Sequence, residues 1–254
     1  MGNAFRASVY TPQDLSSLRS VQTLWQVLVD PLISPSRFDS VERARSEFSP
    51  QSFGAACDLY SAEGVLFVRG RNAKFKAMFS YLSDRLAKWT FWWDLAAMKG
   101  DQGGRWLQWL YGLCIQLPPY YGFACSVDEY DAKHTVVETS GSGAMTQAVG
   151  VSAADFRRFL PGVYWLTIFG ADLVNHFGAK LQSLPDAHSI SISSDQTVVL
   201  LDSPVVPEAM GERLRVEADL RSLLGAKYFF DRTNVDVEYE PVPGLARALG
   251  ETSR

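Results

Sequence analysis

Val163-Tyr164-Trp165-Leu166-Thr167-Ile168-Phe169 is apolar on both faces except at Thr167, so it reads as a central strand covered on two sides. Upstream, Ser152-Ala153-Ala154-Asp155 is a capping box for a short helix that Pro161 stops. Downstream, Leu173, Val174 and Phe177 continue as a helix closed by Gly178. Further out, Tyr120 to Val127 reads as a strand and Ser140 to Ser142, with Gly141 and Gly143, as a turn. Ser189 to Ser193 alternates Ser and Ile, and with Thr197 to Leu201 it predicts a hairpin. Pro207 opens a helix packed by Leu214, Val216, Leu220, Leu223 and Leu224 and ended by Gly225. A last alternating strand, Val235 to Glu240, precedes a polar tail over 241–254.

The N-terminal half reads differently. Thr11-Pro12-Gln13-Asp14 supplies a cap, a proline for the first helical position and an acid at the positive end of the dipole, predicting a helix over 12–30. Pro31 ends it, and 31–50, carrying three prolines and mixed charges, reads as a connection. Gly64 to Gly70 encloses a buried strand. Phe75, Met78, Phe79, Leu82, Leu86 and Trp89 then recur at helical spacing, which predicts a helix over 75–89. A second helix follows Gly103-Gly104, with Trp106, Trp109, Leu110, Leu113 and Leu117 on one face, before Pro118-Pro119. Strands and helices mix without regular alternation. The expected fold is therefore α+β, a mixed or antiparallel sheet with amphipathic helices packed on it. The 254 residues would allow two domains, but no linker is long or polar enough to cut, so 1–254 reads as one unit.

Composition excludes several classes. The chain is 47% hydrophobic and 20% charged, with 24 basic against 28 acidic residues. A net charge of −4 argues against direct nucleic-acid binding and is compatible with a basic partner. Cys57, Cys114 and Cys125 are odd in number and lie among apolar neighbours, so buried free thiols are expected. No apolar run reaches about 18 residues, and the N-terminus has no signal-like core, so a cytoplasmic protein without a membrane span is expected.

Chemistry-bearing patterns are sparse. His134, His176 and His188 have no metal-ligand spacing, there is no GxSxG elbow, and Gly141-Ser142-Gly143 lacks the strand and helix of a phosphate loop. No metal or cofactor is expected, and no catalytic residue is assigned. Asp58 with Glu63, or Asp128 with Glu129 and Asp131, are pairs of carboxylates of the kind any acidic protein offers. Of the seven tryptophans, most fall on packing stripes; adjacent Trp92 and Trp93 point apart, which leaves one free to face outward, but core is the expectation for both.

Val149-Gly150-Val151, Phe159-Leu160-Pro161-Gly162-Val163-Tyr164-Trp165-Leu166-Thr167-Ile168-Phe169-Gly170, Leu173-Val174, Phe177-Gly178 and Leu224-Gly225-Ala226-Lys227-Tyr228-Phe229-Phe230-Asp231 together resemble a signature of bacterial immunity proteins from polymorphic-toxin and type VI secretion loci, in particular the immunity protein 52 family. The resemblance covers about a quarter of the chain. It implies a cytoplasmic α+β protein, not an enzyme, that binds and blocks a cognate toxin, often a nuclease. It carries over no catalytic residues.

Within that implication, the acidic residues are the candidate contacts. Period-2 geometry puts Asp236, Glu238 and Glu240 on one side of the last strand, opposite Val235, Val237 and Tyr239. From 186 to 254 there are twelve acidic and seven basic residues, whereas 37–105 carries eleven basic and eight acidic ones. The C-terminal field is thus suited to steering a basic nuclease, with Asp128, Glu129 and Asp131 as the second acidic candidate group. A solvated edge strand is the plainer alternative. Two functions stay open: a toxin inhibitor, or an enzyme or small-ligand module using the Trp-rich centre and a carboxylate pair.

Overall fold

Phe5, Ala7 and Val9 alternate with Arg6, Ser8 and Tyr10, and this period of two makes β1 (Ala4–Thr11) a strand at the middle of the molecule. The computed structural model describes residues 4–83, 86–140, 143–148, 153–184, 189–201, 210–231 and 238–249. On one side β1 pairs with β6 (Leu86–Asp94), followed by β5 (Lys76–Ser83), β4 (Val65–Gly70), β2 (Pro35–Asp39) and the two-residue β3 (Ser46–Glu47). On the other it pairs with β7 (Tyr121–Ser126), followed by β10 (Leu166–Phe169), β12 (Gln196–Leu200) and β11 (Ser189–Ser193). Every pairing in this ten-stranded sheet is antiparallel. β8 (Thr135–Ser140) and β9 (Gly143–Ala148) form a separate hairpin. The fold is α+β.

Helices cover opposite faces of the two halves. Beneath β6, β5, β4 and β2, the face carrying Trp93, Phe91, Phe79, Val68 and Phe38 is packed by α1 (Leu18–Leu28), α2 (Phe53–Glu63) and α3 (Asp101–Gln116). Trp106 stacks on Trp93 with centroids 4.6 Å apart, Trp109 meets Phe91 edge-on at 5.4 Å, and Trp25 meets Phe38 at 5.6 Å. The Trp109 indole N–H donates to the Val27 carbonyl at 3.0 Å, tying α3 to α1. The other face, at β1, β7 and β10, is packed by α4 (Val127–His134), α5 (Ala153–Arg158) and α6 (Ala171–Gln182). Phe156 stacks on Tyr10 at 4.3 Å, Tyr130 on Phe123 at 6.0 Å, and Phe177 meets Phe169 at 5.9 Å. α7 (Met210–Leu224) packs against α6 and α4. At the junction of β10 and α6, a Cβ on Gly170 would overlap the Pro119 carbonyl oxygen, so only glycine fits.

Several sequence expectations are corrected. The helix expected over 75–89 is the β5–β6 hairpin arm, although Phe75, Phe79, Leu86 and Trp89 are buried as the helical stripe required. The helix expected over 12–30 starts at Leu18, because Thr11 is still bonded into β1. The connection over 31–50 contains β2 and β3. α6 runs through Gly178 to Gln182. Residues 238–240 are irregular rather than strand, and 235–237 lie outside the described residues. The expected polar tail buries Val242, Leu245 and Leu249 around α8 (Leu245–Ala248), held by a Tyr120 hydroxyl bond to the Pro243 carbonyl. Strands 64–70, 120–127 and 163–169, the 189–201 hairpin and the helix after Gly103 stand where the sequence puts them, within a few residues. The Ser152 cap, the Gly141-Ser142 turn and the Pro207 helix start lie outside the described residues.

Candidate functional site

The six acidic candidates divide by burial. Asp128 and Asp131 are exposed on α4, and Glu238 and Glu240 are exposed near the C-terminus; Asp236 lies outside the described residues. Among the described residues no hydrogen bond or ion pair joins the two groups. Glu240 is partly occupied within the chain: a hydrogen bond from Tyr228 and, against slight desolvation, the Lys227 ammonium hold its carboxyl below the usual range.

Glu129 is not a surface residue. It is fully buried, and its Oε1 accepts from the Lys133 ammonium at 2.8 Å and from the Trp165 amide at 2.9 Å. Lys133 also meets Glu217 at 2.9 Å and donates to the Val163 carbonyl at 2.7 Å. Burial alone would depress the Lys133 pKa, but the two carboxylates overcome this and raise it. Burial pushes Glu217 up, only partly countered by Lys133. This cluster fastens α4, α7 and the start of β10 to one another. Beside it, the buried His134 Nε2 lies 2.5 Å from the Tyr164 hydroxyl, whose ring stacks on Phe123. The interlocking of aromatic, ionic and backbone contacts marks a structural core, with Glu129 placed there because α4 turns its i and i+4 positions inward.

The open surface is elsewhere. α1, α2 and α3 take one face of β6, β5, β4 and β2, while the described helices cover the opposite face only as far as β1 and the neighbouring edge of β6. Ser8 and Thr90, near the covering helices, are fully buried, whereas Trp92, Met78, Phe67, Val65, Lys76 and Lys88 are half-buried and Arg69 and Arg37 exposed. Antiparallel register aligns Arg6, Trp92, Lys76, Arg69 and Arg37 as one cross-strand row. The Arg6 guanidinium lies 3.8 Å from the Tyr130 ring and 5.7 Å from Trp92, and the Lys76 ammonium lies 5.1 Å from Trp92. Glu42 meets Arg69 at 3.7 Å and Lys76 at 3.2 Å, and is exposed. The sequence leads to core positions for both Trp92 and Trp93, whereas Trp92 is half-buried on the open face, and it gives no signal for the cations beside it.

Lys88 belongs to the same face. Its ammonium lies 5.3 Å from the Tyr10 ring and has no hydrogen bond or ion pair among the described residues. Burial first, and the Arg6 charge second, press its pKa down to about 8. The folded chain therefore releases this proton near pH 8 while the unfolded chain keeps it to about 10.5, so folding stability rises with pH through that window. Lys88→Met is expected to raise stability at neutral pH by roughly 1 kcal/mol and to abolish the rise, as thermal melts between about pH 7 and about pH 10 will register.

A polar cleft of about 610 Å³ between the α1–β2 loop and α3 is lined by Asn72, Asp94, Gln102, Arg105 and Trp106. Among the described residues no group of His, Cys, Asp or Glu is arranged to hold a metal ion, and no helix is long and apolar enough to cross a membrane.

This architecture has a solved counterpart. The chain is similar in fold to the Pseudomonas aeruginosa T6SS protein PA0821, with a TM-score of 0.54 and 13% sequence identity, over 98% of this chain and 82% of that one. No protein-family model and no curated protein matches the chain. At that identity the likeness is one of fold, and it runs through both halves of the ten-stranded sheet.

Proposed function

We propose that this chain is a non-catalytic immunity protein that binds a cognate antibacterial toxin in the cytoplasm and blocks it by occlusion. The observation that supports this best is the fold likeness to a type VI secretion protein over nearly the full chain, which agrees with the toxin-locus signature read in 149–178 and 224–231. A nuclease is the proposed toxin class; Asp128, Asp131 and Glu238 are exposed, and comparing the binding of acidic and cationic variants decides whether the toxin meets these acids or a cationic face.

The test is co-expression with the product of the adjacent gene. The chain is expected to co-elute with that protein in a fixed stoichiometry and to restore growth of cells making it. Failure to bind or protect, together with turnover of a substrate by the isolated chain, would favour the enzyme reading.

A further inference from the structure

The row Arg6–Trp92–Lys76–Arg69–Arg37 sets Lys76 directly across from Arg69 and Arg69 across from Arg37. Neighbouring strands are about 5 Å apart, and like charges opposite one another disfavour the pairing. Glu42 answers part of that charge from an exposed position, and Lys88 adds a further cation whose ammonium meets no carboxylate among the described residues. Around and below the row lie Trp92, Met78, Phe67 and Val65, half-buried and uncovered by any described helix. An apolar centre with Trp and Met, rimmed by Arg and Lys, is the make-up of a protein-binding face.

We infer that this open face of β6, β5, β4 and β2 docks an acidic protein surface, with Arg6, Lys76, Arg69 and Arg37 receiving its carboxylates and Trp92, Met78 and Phe67 its apolar centre. The inference rests on the toxin-binding reading above and names the face that makes the contact. It gives the contacting surface of the toxin the sign opposite to that suggested by the chain's net charge of −4. Charge complementarity selects the occupant. A single-stranded nucleic acid would need several aromatic faces for successive bases to stack on, whereas Trp92 is the one aromatic ring in the row, with Arg6 and Lys76 drawn against it at 5.7 and 5.1 Å.

The experiment measures binding of the catalytically inactivated product of the adjacent toxin gene to the full chain, to Arg69→Glu/Lys76→Glu, and to Asp128→Lys/Asp131→Lys. Melting curves verify folding, and Arg69→Gln/Lys76→Gln repeats the measurement if the reversal lowers the melting temperature. The cation reversal is expected to weaken binding about a hundredfold, with the residual affinity losing its salt dependence. Wild-type affinity in the cation variants, with loss in the acidic variant instead, overturns the inference and leaves the toxin reading intact. No binding by the wild-type chain overturns both. Binding of a single-stranded oligothymidylate by the wild type that is lost in the cation variants reassigns the face to nucleic acid and also overturns it.

Discussion

Lys133→Met is expected to destabilise the protein by about 3–5 kcal/mol, the range for removing one partner of a buried ion pair, and to lower its melting temperature by roughly 10 °C or more. The side chain is of similar length, so little packing is lost. What remains are Glu129 and Glu217, both buried, and the Val163 carbonyl without its lysine donor. The pH dependence separates an electrostatic cause from a steric one. Glu217 already titrates above its ordinary 4.5 because of burial, and loss of the ammonium raises it further. The folded variant then holds a proton that the unfolded chain gives up, so its stability falls as pH rises through the raised pKa. The penalty is therefore largest at neutral and alkaline pH and shrinks towards about pH 5. Adding Glu129→Gln and Glu217→Gln removes the stranded charges, and the amide carbonyl introduced by Glu129→Gln can still accept from the Trp165 amide. More than half of the lost stability is expected to return. A pH-independent penalty, or no recovery in the triple variant, would show that Lys133 acts by shape alone.

That cluster also marks the limit of what the sequence discloses about a site. The i, i+4 pair Glu129 and Lys133 is visible on α4, but the second carboxylate is contributed by α7, far along the chain. Counting charge therefore places Glu129 on a contact surface, whereas the fold makes it an internal counter-ion. The cation row is hidden for the related reason that residues 6, 37, 69, 76 and 92 become neighbours only through antiparallel register. Local signals suffice where one element decides the pattern. Val163–Phe169 is apolar but for Thr167 because helices and neighbouring strands enclose it, and α3 shows its 3.6-residue stripe because it has one core face. β1 escapes notice although Phe5, Ala7 and Val9 alternate cleanly, because the Thr11-Pro12 cap pattern draws the helix start towards it.

Substituting aspartate along β5 is expected to alternate in effect, with Phe79→Asp costing about 4 kcal/mol or more, as for an uncompensated buried charge. Phe79 is fully buried between Trp89 and Phe91, with centroids 5.7 Å from each. Ala77, on the same side and paired with Phe91 and Val68, should respond almost as severely when changed to Asp. Met78 faces the open side, so Met78→Asp should cost no more than about 1 kcal/mol. A helix over 75–89 makes the reverse prediction for the neighbours, since Met78 lies on its apolar stripe and Ala77 does not. Thermal or denaturant melts of these three variants thus decide between the two periodicities, and a tolerated Ala77→Asp beside a ruinous Met78→Asp would contradict the strand. The source of the ambiguity is physical. Met78 is an apolar residue on the face away from the helices and Leu82 sits at the register shift between Tyr81 and Ser83, and together they turn an alternating strand into an i, i+3, i+4, i+7 pattern. A strand whose wet face were wholly polar would show its period of two without ambiguity. Met78, one of the residues that blur the period, is part of the surface assigned to the acidic partner, so local inconsistency and proposed function share an origin there. Met78→Asp accordingly has a second expected result, weaker toxin binding in a protein that melts nearly as the wild type does.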